Sequence, residues 1–150
     1  MFIGYLDNPE ATARSFTADG FFRTGDLACK AEPGFIFKNR IGDSLRLGGF
    51  LVNPEEIESF LETLPGVTEA QVVAAEHGSE RVAFAFIRTT PDAPAQEEAI
   101  LAACRASLAR YKQPKRVVTL DAFPVTESPN GTKIQRVKLR EMANAILREM

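Results

Sequence analysis

Two charged residues in this chain stand in settings suited to chemistry, and they lie near opposite ends of it. Asp26 follows Thr24-Gly25, where glycine permits a bend that presents the carboxylate outward. A carboxylate accepts two hydrogen bonds at once and so suits a diol such as that of ribose; a plain turn aspartate looks the same. Lys133 comes just after Asn130-Gly131, in the run Asn130-Gly131-Thr132-Lys133-Ile134-Gln135-Arg136. An ammonium there is either a solvated surface charge or a flexible cation able to bridge two anions. Between them, Gly48-Gly49 is either a simple hairpin pair or a place where the backbone lets a ligand approach closely. His77, the single histidine, sits in a turn beside Gly78-Ser79, a poor place for a base. There is no Ser-His-Asp set, phosphate-binding glycine loop or metal-ligand spacing, and Cys29 and Cys104 read as reduced small hydrophobes.

The elements that must position these residues follow from turn residues and periodicity. Asn8-Pro9 opens a short helix; Asp19-Gly20 turns into a short strand at Phe21-Phe22-Arg23, whose hairpin partner is expected at Gly34-Phe35-Ile36-Phe37. Two such strands cannot bury an independent core, so this strip has the character of the edge of a larger domain. From Ser44 the pattern is that of a compact α+β domain. Leu45, Leu47, Leu51 and Val52 flank the Gly48-Gly49 turn, and Asn53-Pro54-Glu55-Glu56 starts a helix with Ile57, Phe60, Leu61 and Leu64 on one face. Strands over 67–74 and 82–87 follow, with Val82, Phe84 and Phe86 on one face and Ala83 and Ala85 on the other. A helix over 96–110 turns Ile100, Leu101, Cys104 and Leu108 inward, and Val117 to Leu120 forms a third strand. A long polar loop is expected to carry Lys133, before a last helix with Leu139, Met142 and Ile146 on its buried stripe. The fold class is α+β: a small, mostly antiparallel sheet flanked by helices and preceded by a hairpin strip.

Three ordered segments together resemble the closing part of adenylate-forming acyl-CoA synthetases. The first runs from Gly4-Tyr5-Leu6-Asp7-Asn8-Pro9 to Phe22-Arg23-Thr24-Gly25-Asp26-Leu27, and the resemblance implies that Asp26 grips the ATP ribose. The second, from Asn39-Arg40-Ile41-Gly42-Asp43 through Gly48-Gly49 to Pro54-Glu55-Glu56-Ile57-Glu58, is similar to the family's hinge and thiol-tunnel motif. It implies Arg40 near the nucleotide, a hinge at Gly42 and Asp43, and Gly48 and Gly49 beside the pantetheine arm of CoA. Where the family usually carries a polar residue at the hinge, this chain has Gly42, whose backbone freedom can absorb a large dihedral change. Tyr111-Lys112-Gln113-Pro114-Lys115 resembles a further segment, implying that Lys112 meets CoA phosphates. The third holds Lys133, implied to be catalytic: attack of a carboxylate on an α-phosphate brings two anions together, and an ammonium can neutralise the charge that develops.

The resemblance divides the chain into the tail of an N-terminal adenylation domain, residues 1–41, and a mobile C-terminal lid, residues 42–150. It implies an acid–thiol ligase that uses ATP, Mg²⁺ and CoA to activate a carboxylic acid, in particular a fatty acid. The 150-residue chain alone is expected to be inactive, because the phosphate loop and acyl pocket belong to the missing N-terminal domain. Alternatives are an adenylation domain that loads a carrier protein in a peptide synthetase, and a non-catalytic module that binds a nucleotide or a partner. Composition agrees with a soluble globular protein: 45% hydrophobic and 25% charged, without an apolar run near the roughly 20 residues of a membrane helix. With no signal-peptide pattern, a cytoplasmic location is expected. Net charge is only -2, yet residues 105–140 hold nine basic residues against two acids. That blend suits a phosphate-bearing small molecule better than nucleic acid.

Overall fold

A computed structural model describes residues 2–90, 96–128 and 131–150, the side chain of Ser128 excepted. These residues fall into two compact units, Met1–Asp43 and Ser44–Met150.

The first unit is built on aromatic contacts and a hairpin. Helix α1 (Pro9–Ser15) begins where expected, with the Asn8 side chain accepting from the Ala11 amide. Phe2, Tyr5, Phe16 and Phe22 form a small ring cluster, with centroids 4.9–6.0 Å apart. Phe21 to Arg23 is not a strand; Phe22 makes one isolated bridge to Phe16. The partner of Gly34–Arg40 (β2) is instead Asp26–Ala31 (β1), with Asp26 opposite Arg40 and Ala31 opposite Gly34. Hydrophobicity at Phe21-Phe22 had suggested the strand, but those rings are spent on the aromatic cluster and on solvent-facing surface. Phe21, Phe35, Ile36 and Phe37 all remain more than half exposed.

The second unit carries the core. A glycine turn joins Leu45–Leu47 (β3) to Phe50–Val52 (β4), and helix α2 (Pro54–Glu62) starts at Asn53, whose side chain accepts from the Glu55 amide. Strands β5 (Val67–His77), β6 (Glu80–Thr89) and β7 (Pro114–Thr119) form the main sheet, with β5 antiparallel and β7 parallel to the central β6. Helix α3 (Glu97–Ser107) leads into β7, and α4 (Arg136–Arg148) closes the chain.

The sheet is buried on both faces, as the alternation on β6 requires. Ala83, Ala85 and Ile87 pack with Leu45, Leu47, Val52, Ile57, Leu61, Ile100 and Cys104, which brings β3–β4, α2 and α3 to one face. Val82, Phe84 and Phe86 pack on the other with Phe123, Ile134 and the buried stripe of α4. That stripe is Leu139, Ala143 and Leu147, while Met142 and Ile146 flank it. The small Ala143 lies at the helix–sheet contact, so the apolar spacing 139, 142, 146 is rotated slightly from the true contact line. Burial also pushes the Cys104 thiol up to about 11.

One further hairpin lies where a polar loop was expected. Val125–Ser128 (β8) pairs antiparallel with Gly131–Ile134 (β9), so Lys133 sits on a strand opposite Thr126. Of the Asn130-Gly131 turn, Asn130 lies outside the described residues; Gly131 has φ +109°.

Side chains close the open edges of the main sheet. On β5, the Ala70 amide donates to Glu62, Val72 to Glu58 and Glu76 to Asn144. On β7, Glu97 accepts from the Val117 amide at 2.9 Å and from Arg116 Nε at 2.7 Å. Burial alone would raise the Glu97 carboxyl, but Arg116 and the Val117 amide together hold it below its ordinary 4.5. A carboxyl lowered in the fold contributes stability that is present above that value and lost as pH falls through the folded pKa. Urea denaturation of the chain between pH 7 and pH 3 should therefore show Glu97→Gln less stable at pH 7, with the gap to the parent shrinking on acidification. An unchanged gap at pH 3 would contradict the assignment.

Candidate functional site

In the first unit, the bend before Asp26 forms as Gly25 takes φ +76° and the Thr24 hydroxyl accepts from the Asp26 amide at 3.2 Å. Asp26 and Arg40 stand fourteen positions apart, yet register makes them neighbours, with Arg40 Nε 3.6 Å from Asp26 Oδ1. That is longer than a hydrogen bond and leaves the carboxylate able to accept from a diol. The pair offers one acceptor and one cation on a hairpin end, a combination suited to a nucleotide's sugar and phosphate. The Ile41 amide donates to the Gly25 carbonyl at 2.8 Å, and the chain leaves through a 3₁₀ turn, Ile41–Asp43. Within that turn a Cβ at Gly42 would meet nothing within 4 Å, and its φ is not left-handed. This conformation does not itself demand glycine; the residue's freedom is available for another one.

In the second unit, Gly48 and Gly49 adopt φ +53° and +87°, the signs that a tight two-residue hairpin turn needs. The Phe50 ring stacks on Tyr111 with centroids 4.3 Å apart, holding the turn against the 3₁₀ segment Arg110–Lys112. Beside it opens a cleft of about 410 Å³, whose wall includes Gly48, Tyr111 and Gln113, the carboxylate Glu80 and the cations Arg81 and Arg110. Lys112, the cation expected to meet CoA phosphates, is bound to Glu56, and that hydrogen bond raises its pKa against a smaller loss from burial. The cations facing the cleft are Arg81 and Arg110. Among the described residues neither has a carboxylate within 4.0 Å. Arg110 belongs to the basic run visible in the sequence. Arg81 carries no such signal, because it reaches the cleft only through the β5–β6 turn.

Lys133 is exposed on β9. Its strand is fastened just beyond it: the Gln135 amide donates to the Pro124 carbonyl at 2.8 Å, and Gln135 Nε2 donates to Val125 O at 2.9 Å and Thr126 Oγ1 at 2.7 Å. Arg136 follows, with Nη2 at 3.1 Å from Glu58 Oε1 and 3.3 Å from Oε2. Glu58 is buried, and its Oε1 also accepts from the Val72 amide at 2.8 Å. Burial raises its carboxyl more than the Val72 amide and Arg136 lower it. Glu58 and Arg136 stand 78 residues apart, and nothing in the sequence pairs them.

The Gly48-Gly49 hairpin and the Lys133 hairpin are anchored on opposite faces of the main sheet. Leu45, Leu47 and Val52 root the first in one core cluster, and Ile134 roots the second in the other. Among the described residues no group of three or more His, Cys, Asp or Glu gathers to hold a metal. No helix among them is long and apolar enough to cross a membrane.

Residues 56–129 match the family described as AMP-binding enzyme C-terminal domain. The chain is 36% identical over 150 residues to 2-methylpropanoate–CoA ligase CCL4 of Humulus lupulus, covering 97% of this chain and 26% of the relative. It is 37% identical over 142 residues to the long-chain-fatty-acid–CoA ligase FadD13 of Mycobacterium tuberculosis, covering 94% and 27%. The crystal structure of ATP-bound MatB from Rhodopseudomonas palustris resembles it with a TM-score of 0.87 at 35% identity, covering 98% of this chain and 29% of that one. The chain thus spans about a quarter of the length of the curated relatives it matches.

Proposed function

Because this chain belongs to the AMP-binding enzyme C-terminal domain family, we propose that it closes an ATP-dependent acyl-CoA synthetase and serves both halves of its reaction in turn. In the first half a carboxylate oxygen attacks the α-phosphorus of ATP, the bond to the β-phosphate oxygen breaks, and pyrophosphate leaves. In the second the CoA thiolate attacks the acyl carbon of the adenylate, and AMP leaves with the bond electrons. Asp26 holds the ribose hydroxyls and Arg40 stands by the nucleotide phosphate. Lys133 neutralises the charge that builds on phosphorus. Rotation at Gly42 and Asp43 then replaces the Lys133 hairpin with the Gly48-Gly49 hairpin, past which the pantetheine arm enters.

The observation that carries this reading is the placement of those two hairpins on opposite faces of one sheet. One rigid domain can thereby present two different chemistries to one partner, provided that it turns. Residues 1–41 belong with the partner, the N-terminal adenylation domain, which would cover the apolar surface of Phe21, Phe35, Ile36 and Phe37. Lys112 reaches CoA phosphates by exchanging its bond to Glu56. Mg²⁺ arrives with ATP as part of that substrate. Similarity to a long-chain-fatty-acid–CoA ligase supports a fatty acid as the acid. The cytoplasm, which supplies ATP and CoA and keeps Cys29 and Cys104 as free thiols, is the fitting compartment.

The test is Gly49→Leu in the full-length enzyme, read in the two half-reactions separately. A Cβ at Gly49 would meet nothing within 4 Å, and its φ of +87° adds strain of about 1–2 kcal/mol. Thioester formation from preformed acyl-adenylate should fall at least about tenfold, more than 1.4 kcal/mol of transition-state binding, while pyrophosphate release stays near the parent rate. Equal loss in both halves would remove the Gly48-Gly49 face from the thioester step.

A further inference from the structure

We infer that Glu58 and Arg136 form a positioning pair that holds Lys133 in register for adenylate formation, an inference that rests on the role proposed above for Lys133. The Lys133 side chain is exposed, so its aim depends on the strand that bears it. That strand has two polar fastenings. Gln135 ties it to the facing strand, through Thr126, the cross-strand partner of Lys133. This fixes the hairpin internally, and Ile134 packs it on the core without a directional bond. Arg136 supplies the second fastening, outside the hairpin: its Nη2 reaches Glu58 on α2, and its Nη1 lies 3.5 Å from the Val72 carbonyl on β5.

The placement of Arg136 argues that the bond serves position rather than the helix. Arg136 is the first residue of α4, whose first turn holds no acid and whose N-cap Gln135 makes no capping bond with its side chain. A cation at a helix N-terminus opposes the helix dipole. A buried carboxylate offsets that conflict here, and it belongs to another element whose own place is set by Ile57 and Leu61 in the core. Only Ile134 and Gln135 separate this anchor from Lys133, a span of roughly 10 Å in extended chain. Displacement of a reacting group by 1 Å can cost about 100-fold in rate.

The experiment uses the full-length enzyme with Glu58→Gln, which keeps an acceptor for the Val72 amide but removes the charge. Pyrophosphate release and thioester formation from preformed acyl-adenylate are measured separately, alone and in a Lys133→Ala background. Adenylation kcat is expected to fall about tenfold with little change in KM for ATP, as misplacement predicts, while the thioester step is unaffected. In the Lys133→Ala background Glu58→Gln should add nothing, because the group being positioned is gone. Arg136→Lys, which keeps charge but loses the forked reach, is the second variant and should show the same half-reaction bias if Glu58→Gln does not fold. Equal loss in both half-reactions, or an undiminished Glu58→Gln effect without Lys133, overturns the pairing while leaving Lys133 catalytic. Adenylation that survives Lys133→Ala overturns the underlying reading, and this inference with it.

Discussion

Replacing Lys133 with alanine in the full-length enzyme should lower pyrophosphate release by about 100- to 1,000-fold, the loss typical when one preorganised charge-stabilising donor is removed. The attacking carboxylate and the α-phosphate are both anions, and the transition state adds charge at phosphorus that solvent cannot follow in a closed site. An ammonium at the tip of a four-carbon stem can meet both groups without further reorganisation. Stability should be unaffected, because the side chain is exposed on β9. Thioester formation from preformed acyl-adenylate should also persist, since the hairpin proposed to serve that step lies on the opposite face of the sheet. Rapid-quench measurement of pyrophosphate and of acyl-CoA distinguishes the two. Near-parent pyrophosphate release would leave Lys133 a solvated surface lysine.

The second large effect concerns stability and should strike both half-reactions alike. Phe84 is fully buried in the centre of β6, its ring 4.9 Å from that of Phe86, in the cluster that receives Leu139 and Ala143 of α4. Phe84→Ala should cost about 3–5 kcal/mol through lost burial and the cavity left behind. A typical domain has about 5–15 kcal/mol in all, so this can remove a large part of the folded population. Denaturant titration of the 150-residue chain, followed by circular dichroism, measures it. Val125→Ala, at a position 45% exposed, serves as the control and should shift the midpoint little. A cost for Phe84→Ala below about 1 kcal/mol would mean that the ring is not enclosed in a close-packed core.

Much of the second unit could be read from its residues because local signals and burial agree there. Alternation on β6 places two phenylalanines on one face and two alanines on the other, and both faces are covered as that pattern demands. Asn53-Pro54 starts α2, and the glycine pair forms the β3–β4 turn. The β8–β9 hairpin was not legible, because side-chain hydrogen bonds from Gln135 hold it rather than an apolar face, and Val125 is left half in solvent. The strand at Asp26–Ala31 was missed because exposed Leu27 and Cys29 alternate with no buried partners. Asp26 and Arg40 were each recognisable from their motifs, but their adjacency is a matter of hairpin register. Glu58 with Arg136 and the cleft-facing Arg81 depend on tertiary packing, for which short-range pattern holds no trace.

The side chains along the edge of β5 bear on a hazard that the proposed rotation would bring. A strand edge with free amides is a template for another chain, and a lid that rotated as proposed above would show its surface repeatedly to neighbouring copies. Here Glu62, Glu58 and Asn144 occupy the Ala70, Val72 and Glu76 amides from within the same unit. Two of those acceptors are carboxylates, which also repel an approaching backbone carbonyl. Those three amides of β5 are therefore satisfied from within the unit and are not offered for intermolecular pairing.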